Sequence, residues 1–162
     1  NEALNRFVDN VNQVQDFLQR QILIENPSSY LQYKNTEMDE PEFINEISRQ
    51  TGCGLLLDLN NIYVSATNHK LSVNEYLDNT NHDAVQEIHL AGHTQKKIDN
   101  NILLIDTHST FVSQAVWDIY QQYVAKTATD AITLIEWDLE IPSLDSLLAE
   151  ANKAKTIREA FK

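Results

Sequence analysis

Four apolar runs recur along this chain, and each is followed by a helical pattern. They are Gln21-Ile-Leu-Ile-Glu25, Gly54 to Asn61, Val85 to Leu90 and Ala131-Ile-Thr-Leu-Ile-Glu136. The second run lacks polar alternation, as a parallel strand covered on both faces does. Strand then helix, four times over behind a leading helix, predicts an α/β fold with a parallel sheet and right-handed crossovers. In that architecture ligands bind where the strands end, because the loops there converge on one face. Glu25, Asp58, His89 and Glu136 stand at those four ends.

The helices carry their own signals. Leu4, Phe7, Val8, Val11, Val14, Phe17 and Leu18 repeat at helical spacing and predict an amphipathic first helix facing inward through them. Asp39 offers an N-cap and Pro41 a first-turn proline for a helix whose inner face is Phe43, Ile44 and Ile47, closed by Thr51-Gly-Cys-Gly54. Ser72-Val-Asn-Glu75 reads as a capping box. Val112, Ala115, Val116, Ile119, Tyr120, Tyr123 and Val124 form a further stripe. Trp117, Tyr120 and Tyr123 are expected in the core rather than in an aromatic binding patch. Ser143 caps a last helix with Leu144, Leu147, Leu148, Ala151 and Ala154 inward, and Asn100-Asn101 is expected to turn a hairpin between Lys97-Ile98 and Ile102-Leu103.

The segment from His89 to His108 gathers His89, His93, Asp106 and His108 where the third strand gives out. Imidazole nitrogens and carboxylate oxygens suit zinc, iron, manganese or nickel, and the lack of thiolates there speaks against a structural zinc knot or an iron–sulfur cluster. A single loop histidine is more often solvated than a ligand. What points to metal is the convergence of Glu25, Asp58 and Glu136 on the same place, since gathered carboxylates repel unless a cation neutralises them.

Composition narrows the partners. Twelve Lys and Arg against 24 Asp and Glu give a formal charge of -12, which repels nucleic acid and anionic membranes. No apolar run reaches membrane-spanning length. The lone cysteine, Cys53, excludes an internal disulfide, is expected to pack in a turn, and fits a reducing, cytoplasmic setting. The 162 residues suffice for one domain. The chain begins with Asn1, inside a helical pattern, and reads as truncated.

Five ordered motifs carry a family resemblance: Ile24-Glu-Asn-Pro-Ser-Ser-Tyr30, Leu57-Asp-Leu-Asn-Asn-Ile-Tyr63, Glu87-Ile-His-Leu-Ala-Gly-His93, Ile105-Asp-Thr-His108 and Leu134-Ile-Glu-Trp-Asp138. Together they resemble the multinuclear iron enzymes typified by the methanobactin-biosynthesis oxidase, TIM barrels of the xylose-isomerase-like group. The resemblance implies that residues 1–162 form the second half of one (β/α)8 barrel, with the N-terminal half absent. It implies metal ligation by Glu25, Asp58, His89, Asp106, His108 and Glu136, with Glu25 placed to bridge two ions. Asn61 and His93 would be further ligands or would support them, and Asp138 is the implied general base.

The same resemblance implies two or three iron ions and a dioxygen-dependent oxidation of cysteine residues in a peptide, presented by a peptide-recognition partner protein during natural-product maturation. A second reading puts zinc or manganese on the same ligands, as in sugar isomerases or hydrolases of that group. A third is a non-catalytic remnant that binds a partner through its acidic face. A half-barrel exposes two strand edges and its inner surface, so self-association or pairing with a separate N-terminal fragment is expected. The truncated chain is expected to be inactive.

Overall fold

The computed structural model describes residues 2–99 and 101–161. Helix α1 (Glu2–Leu18) leads into β1 (Leu23–Glu25), α2 (Glu40–Thr51), β2 (Gly54–Asp58), α3 (Leu59–His69) and α4 (Val73–Asn79). A single 3-10 turn over His82–Ala84 precedes β3 (Val85–Ala91), the hairpin strands β4 (Thr94–Ile98) and β5 (Asn101–Ile105), α5 (Gln114–Thr127), β6 (Ile132–Glu136) and α6 (Leu144–Glu159). Strands β1, β2, β3 and β6 form one parallel sheet in that spatial order. Each crossover moves one place across the sheet, which with its helices is the arrangement of half a (β/α)8 barrel.

The two faces of the sheet have different fates. Leu55, Leu57, Ile88 and Leu90 are wholly buried beneath the helices, with Ile62, Val116, Trp117, Tyr120 and Tyr123. The aromatic stripe of α5 is therefore core, as its spacing predicts. On the other face Leu56, Glu87 and Ile132 lie side by side, and Asp58, His89 and Leu134 form the next row toward the strand ends. That face is open on the β6 side, where Ile132 is 66% exposed.

Helix ends follow the sequence signals. Asp39, Ser72 and Ser143 accept hydrogen bonds from the amides of Glu42, Glu75 and Ser146, and Gly52 closes α2 in the left-handed region at φ 70°. Cys53 is buried beside it as a free thiol. Strands β4 and β5 pair as the expected hairpin, with Ile98 opposite Asn101. Asn100, half of the expected turn, lies outside the described residues.

Three expectations need correction. The run from Gly54 to Asn61 is not one strand: β2 stops at Asp58, whose side chain caps α3 by accepting from the Asn61 amide, so Leu59, Asn60 and Asn61 form the first helical turn. The cap overrides the apolar continuity. Helix α1 buries only Leu4 and Val11, against Ile47 and Cys53. It packs chiefly on α2, and Phe7, Val14, Phe17 and Leu18 stay exposed, Phe17 to 87%. Helix α6 turns Glu150 and Ala154 inward instead of Leu144, Leu148 and Ala151, which are exposed. The Glu150 carboxylate accepts from the Val112 amide at 2.8 Å, and that polar anchor sets which face of α6 meets α5.

Candidate metal centre

The strand ends bring the predicted residues together. One ligand atom each from Glu25, Asp58, His89 and Glu136 lies within 4.8 Å of the others, and the same holds for His108, Glu136 and Asp138. Glu136 belongs to both groups. Its Oε2 lies 3.1 Å from His89 Nδ1 and 3.5 Å from His108 Nδ1, while Glu25 Oε1 stands 3.8 Å from His89 Nδ1. The carboxylate common to the two groups is Glu136.

His108 reaches the centre through an unusual backbone. Its φ is 46°, in the left-handed region that a non-glycine residue enters at a cost. Three hydrogen bonds hold it there: its amide donates to Gly92 O at 3.0 Å, and its carbonyl accepts from the amides of Asp138 and Leu139 at 2.8 and 3.3 Å. Gly92 is required at this crossing, because a Cβ there would meet Thr110 O at 2.0 Å. The bend presents His108 Nε2 to Asp106 Oδ1 at 2.7 Å and Nδ1 to Asp138 Oδ2 at 3.1 Å.

Two parts of the scaffold, Asn26 and Asn60, carried no signal of their own in the sequence. Asn26, fully buried, continues the β1–β2 pairing with its side chain, donating to Asp58 O at 2.9 Å and accepting from Asp58 N at 2.8 Å. Asn61 donates to Asn26 O at 3.0 Å and approaches Glu25 Oε1 at 3.5 Å. Asn60, also fully buried, donates to Asp106 Oδ1 at 2.7 Å and accepts from His93 Nδ1 at the same distance. His93 stands outside both four- and three-residue groups and packs its ring against Tyr63. The only hint in the sequence was the Asn-Asn pair that follows Asp58.

The electrostatics are those of a site short of positive charge. Burial pushes the Asp58 carboxyl up to about 7, and nearby Glu25 and Asp106 push the same way. Burial also raises Glu25, helped by Glu136. The Asp106 carboxylate beside His108 holds that imidazole up at about 9, whereas burial lowers His93. A cation among these groups would offset the burial, and the lesser carboxylate repulsion, that raise Asp58 and Glu25.

Unpaired atoms test whether a metal fits. Asp58 Oδ2, Asn61 Oδ1 and His108 Nε2 are buried with no hydrogen-bond partner, three of six such side-chain atoms among the described residues. His108 Nε2 is 2.7 Å from Asp106 Oδ1, close enough for an ion pair but out of line for a hydrogen bond. Buried polar atoms left unpaired are costly, and carboxylate, amide oxygen and imidazole nitrogen are the donors that zinc, manganese or iron accept. These acidic and histidine groups can hold metal ions.

Residues 1–159 match the model of a family described as the RiPP precursor modification enzyme MbnB/TglH/ChrH. The chain belongs to this family. It is 66% identical over 160 residues to a UPF0276 protein of Psychromonas ingrahamii, covering 99% of this chain and 56% of the relative. A UPF0276 protein of Vibrio parahaemolyticus is 52% identical over 156 residues, covering 96% and 54%. One from Paraburkholderia phytofirmans is 44% identical over 156 residues, covering 96% and 50%. The chain spans about half the length of the curated relatives it matches. The family match makes this chain part of a modification-enzyme family and agrees with the resemblance carried by the five motifs.

Proposed function

We propose that this chain carries the metal-holding face of an iron-dependent oxidase that modifies cysteine residues of a peptide. The observation that carries this reading is the pair of ligand groups that share Glu136, with three buried atoms among the site residues that lack a hydrogen-bond partner. In the proposal Glu25, Asp58, His89 and Glu136 hold one ion, with Asn61 Oδ1 beside it, and His108 and Glu136 hold a second, with Asp138 alongside and Asp106 facing the other ring nitrogen of His108. Iron supplies the redox capacity toward dioxygen that no side chain here has. The protein's own contribution is to fix the ions and to accept a proton at Asp138 Oδ2. That carboxylate is suited to proton transfer because 62% of its side chain is exposed at the mouth of the site, in contact with His108.

The family description supports a peptide as substrate, and an acidic protein of formal charge -12 makes nucleic acid a poor partner. Among the described residues no helix is long and apolar enough to cross a membrane. We further propose that residues 1–162 are the second half of a single barrel domain and that a further strand-bearing segment covers the open face. Exposed Ile132 and Leu134 on β6, and Phe17 and Leu18 at the end of α1, support this. The length of the relatives leaves room for such a segment.

The test is elemental analysis with Mössbauer spectroscopy of the full-length protein isolated under low oxygen, followed by dioxygen consumption with a cysteine-containing peptide. Two or more irons per chain and thiol-dependent oxygen uptake are expected. A protein that holds only zinc or manganese, or consumes no oxygen, would refute the oxidase.

A further inference from the structure

We propose that Asn60 is a positioning residue that decides which nitrogen of His93 carries the proton. Its side chain lies between two site residues, with Nδ2 donating to Asp106 Oδ1 and Oδ1 facing His93 Nδ1, each at 2.7 Å. A carboxylate oxygen only accepts hydrogen bonds, so Asp106 must meet the NH2 end of the amide. The reverse orientation would set two acceptor oxygens 2.7 Å apart with no proton between them. Asp106 therefore fixes the amide, and the amide then presents its oxygen to His93. An oxygen that only accepts requires a proton on Nδ1. The neutral ring is left with its lone pair on Nε2.

The surroundings keep this relay from rearranging. Asn60 is fully buried in the first turn of α3, where the Asp58 cap fixes the backbone. Tyr63, one turn further along the same helix, lies against the His93 ring with centroids 5.2 Å apart. Asp106 is held from the other side, its amide donating to Tyr30 Oη at 2.9 Å. The consequence is directional. Through Nε2 the ring can act as an electron-pair donor, to a cation or to a proton, and not as an N–H donor. That use of the lone pair rests on the metal-centre reading, whereas the tautomer stands on the two hydrogen bonds alone.

Long-range 1H–15N correlation spectra of metal-free full-length protein, labelled with 15N-histidine and recorded at pH 8, read the tautomer directly. A single Nδ1–H form is expected for His93, and a dominant Nε2–H form would overturn the proposal. Asp106→Ala removes the acceptor that fixes the amide, so the Nε2–H form should gain at least tenfold in population although Asn60 and His93 are untouched. Asn60→Leu should move the ring the same way. If His93 keeps its pure Nδ1–H signature in both variants, Asn60 is only filling space and the assignment is wrong. Because no metal is present, a failure of the iron reading would leave these spectra unchanged.

Discussion

Glu136 Oε2 lies between two histidines, 3.1 Å from His89 Nδ1 and 3.5 Å from His108 Nδ1. It is the one carboxylate common to both groups of donors. Glu136→Gln should therefore lower occupancy of both positions together, whereas Glu25→Gln should affect the one group that contains it. Outer partners of a metal commonly contribute 10–100-fold in affinity, and loss of a shared ligand should exceed that. Metal-to-protein ratios of the two variants decide the matter. Equal losses would remove the special place given to Glu136.

Asp58 makes the metal-free protein sensitive to pH. Burial raises its carboxyl from 3.8 to about 7, and Oδ2 has no partner. The native state then binds more protons than the unfolded chain between those values, so stability falls as pH rises from about 4 through 7. Asp58→Asn keeps an oxygen to accept from the Asn61 amide, so the cap of α3 survives without the buried charge. Metal-stripped D58N should gain roughly 2–4 kcal/mol over the parent at pH 8 and almost nothing at pH 4. Melting curves at the two pH values test this. A gain independent of pH would show that the charge is not its source.

Much of this site was legible because strand ends are legible. A carboxylate or imidazole closing an apolar run marks the one place in a parallel α/β sheet where side chains from different strands meet, and Glu25, Asp58, His89 and Glu136 meet there. What escaped the sequence were residues whose roles depend on distant partners. Asn26 and Asn60 are unremarkable in a turn and at a helix start, yet one pairs with Asp58 across 32 residues and the other with Asp106 across 46. Periodicity also cannot tell an inward stripe from one left uncovered. In α1 the pattern is helical throughout, but only the part that finds α2 is buried.

Gly92 should tolerate no side chain. The Cβ of Gly92→Ala would overlap Thr110 O, so the loop from His108 to Thr110 must shift. Overpacking of this kind costs about 1–3 kcal/mol, and the His108 amide would also lose its 3.0 Å bond to Gly92 O. G92A should melt at lower temperature and lose metal from the group containing His108. Unchanged melting and metal content would mean that the loop accommodates the methyl group freely.

Residues 1–162 expressed alone should associate. Ile132 on the open face and Leu144 on α6 are 66% and 68% exposed, and Leu134, Ile141 and Leu148 are exposed too, as are Phe17 and Leu18 at the end of α1. Apolar surface of this kind, together with an unpaired strand edge, favours pairing. Light scattering should report a dimer or larger species. A stable monomer would argue that this surface needs no cover.

His108 and Asp138 touch but should behave differently when replaced. Only 13% of the His108 side chain is exposed, and its two ring nitrogens face Asp106 and Asp138 or Glu136, so His108→Ala removes a donor that nothing nearby can replace. In the full-length protein it should lower the iron content. Asp138 is at the mouth, 62% exposed, and Asp138→Asn leaves an oxygen able to accept from His108 Nδ1 as the carboxylate does at 3.1 Å. The geometry around His108 is then preserved, but a neutral amide cannot take up a proton. Iron should stay bound while turnover falls by roughly 10²–10⁴, the contribution typical of a positioned acid or base. Loss of iron from D138N would make Asp138 a ligand of the second group instead. Full iron and full rate in the His108 variant would remove His108 from the site altogether.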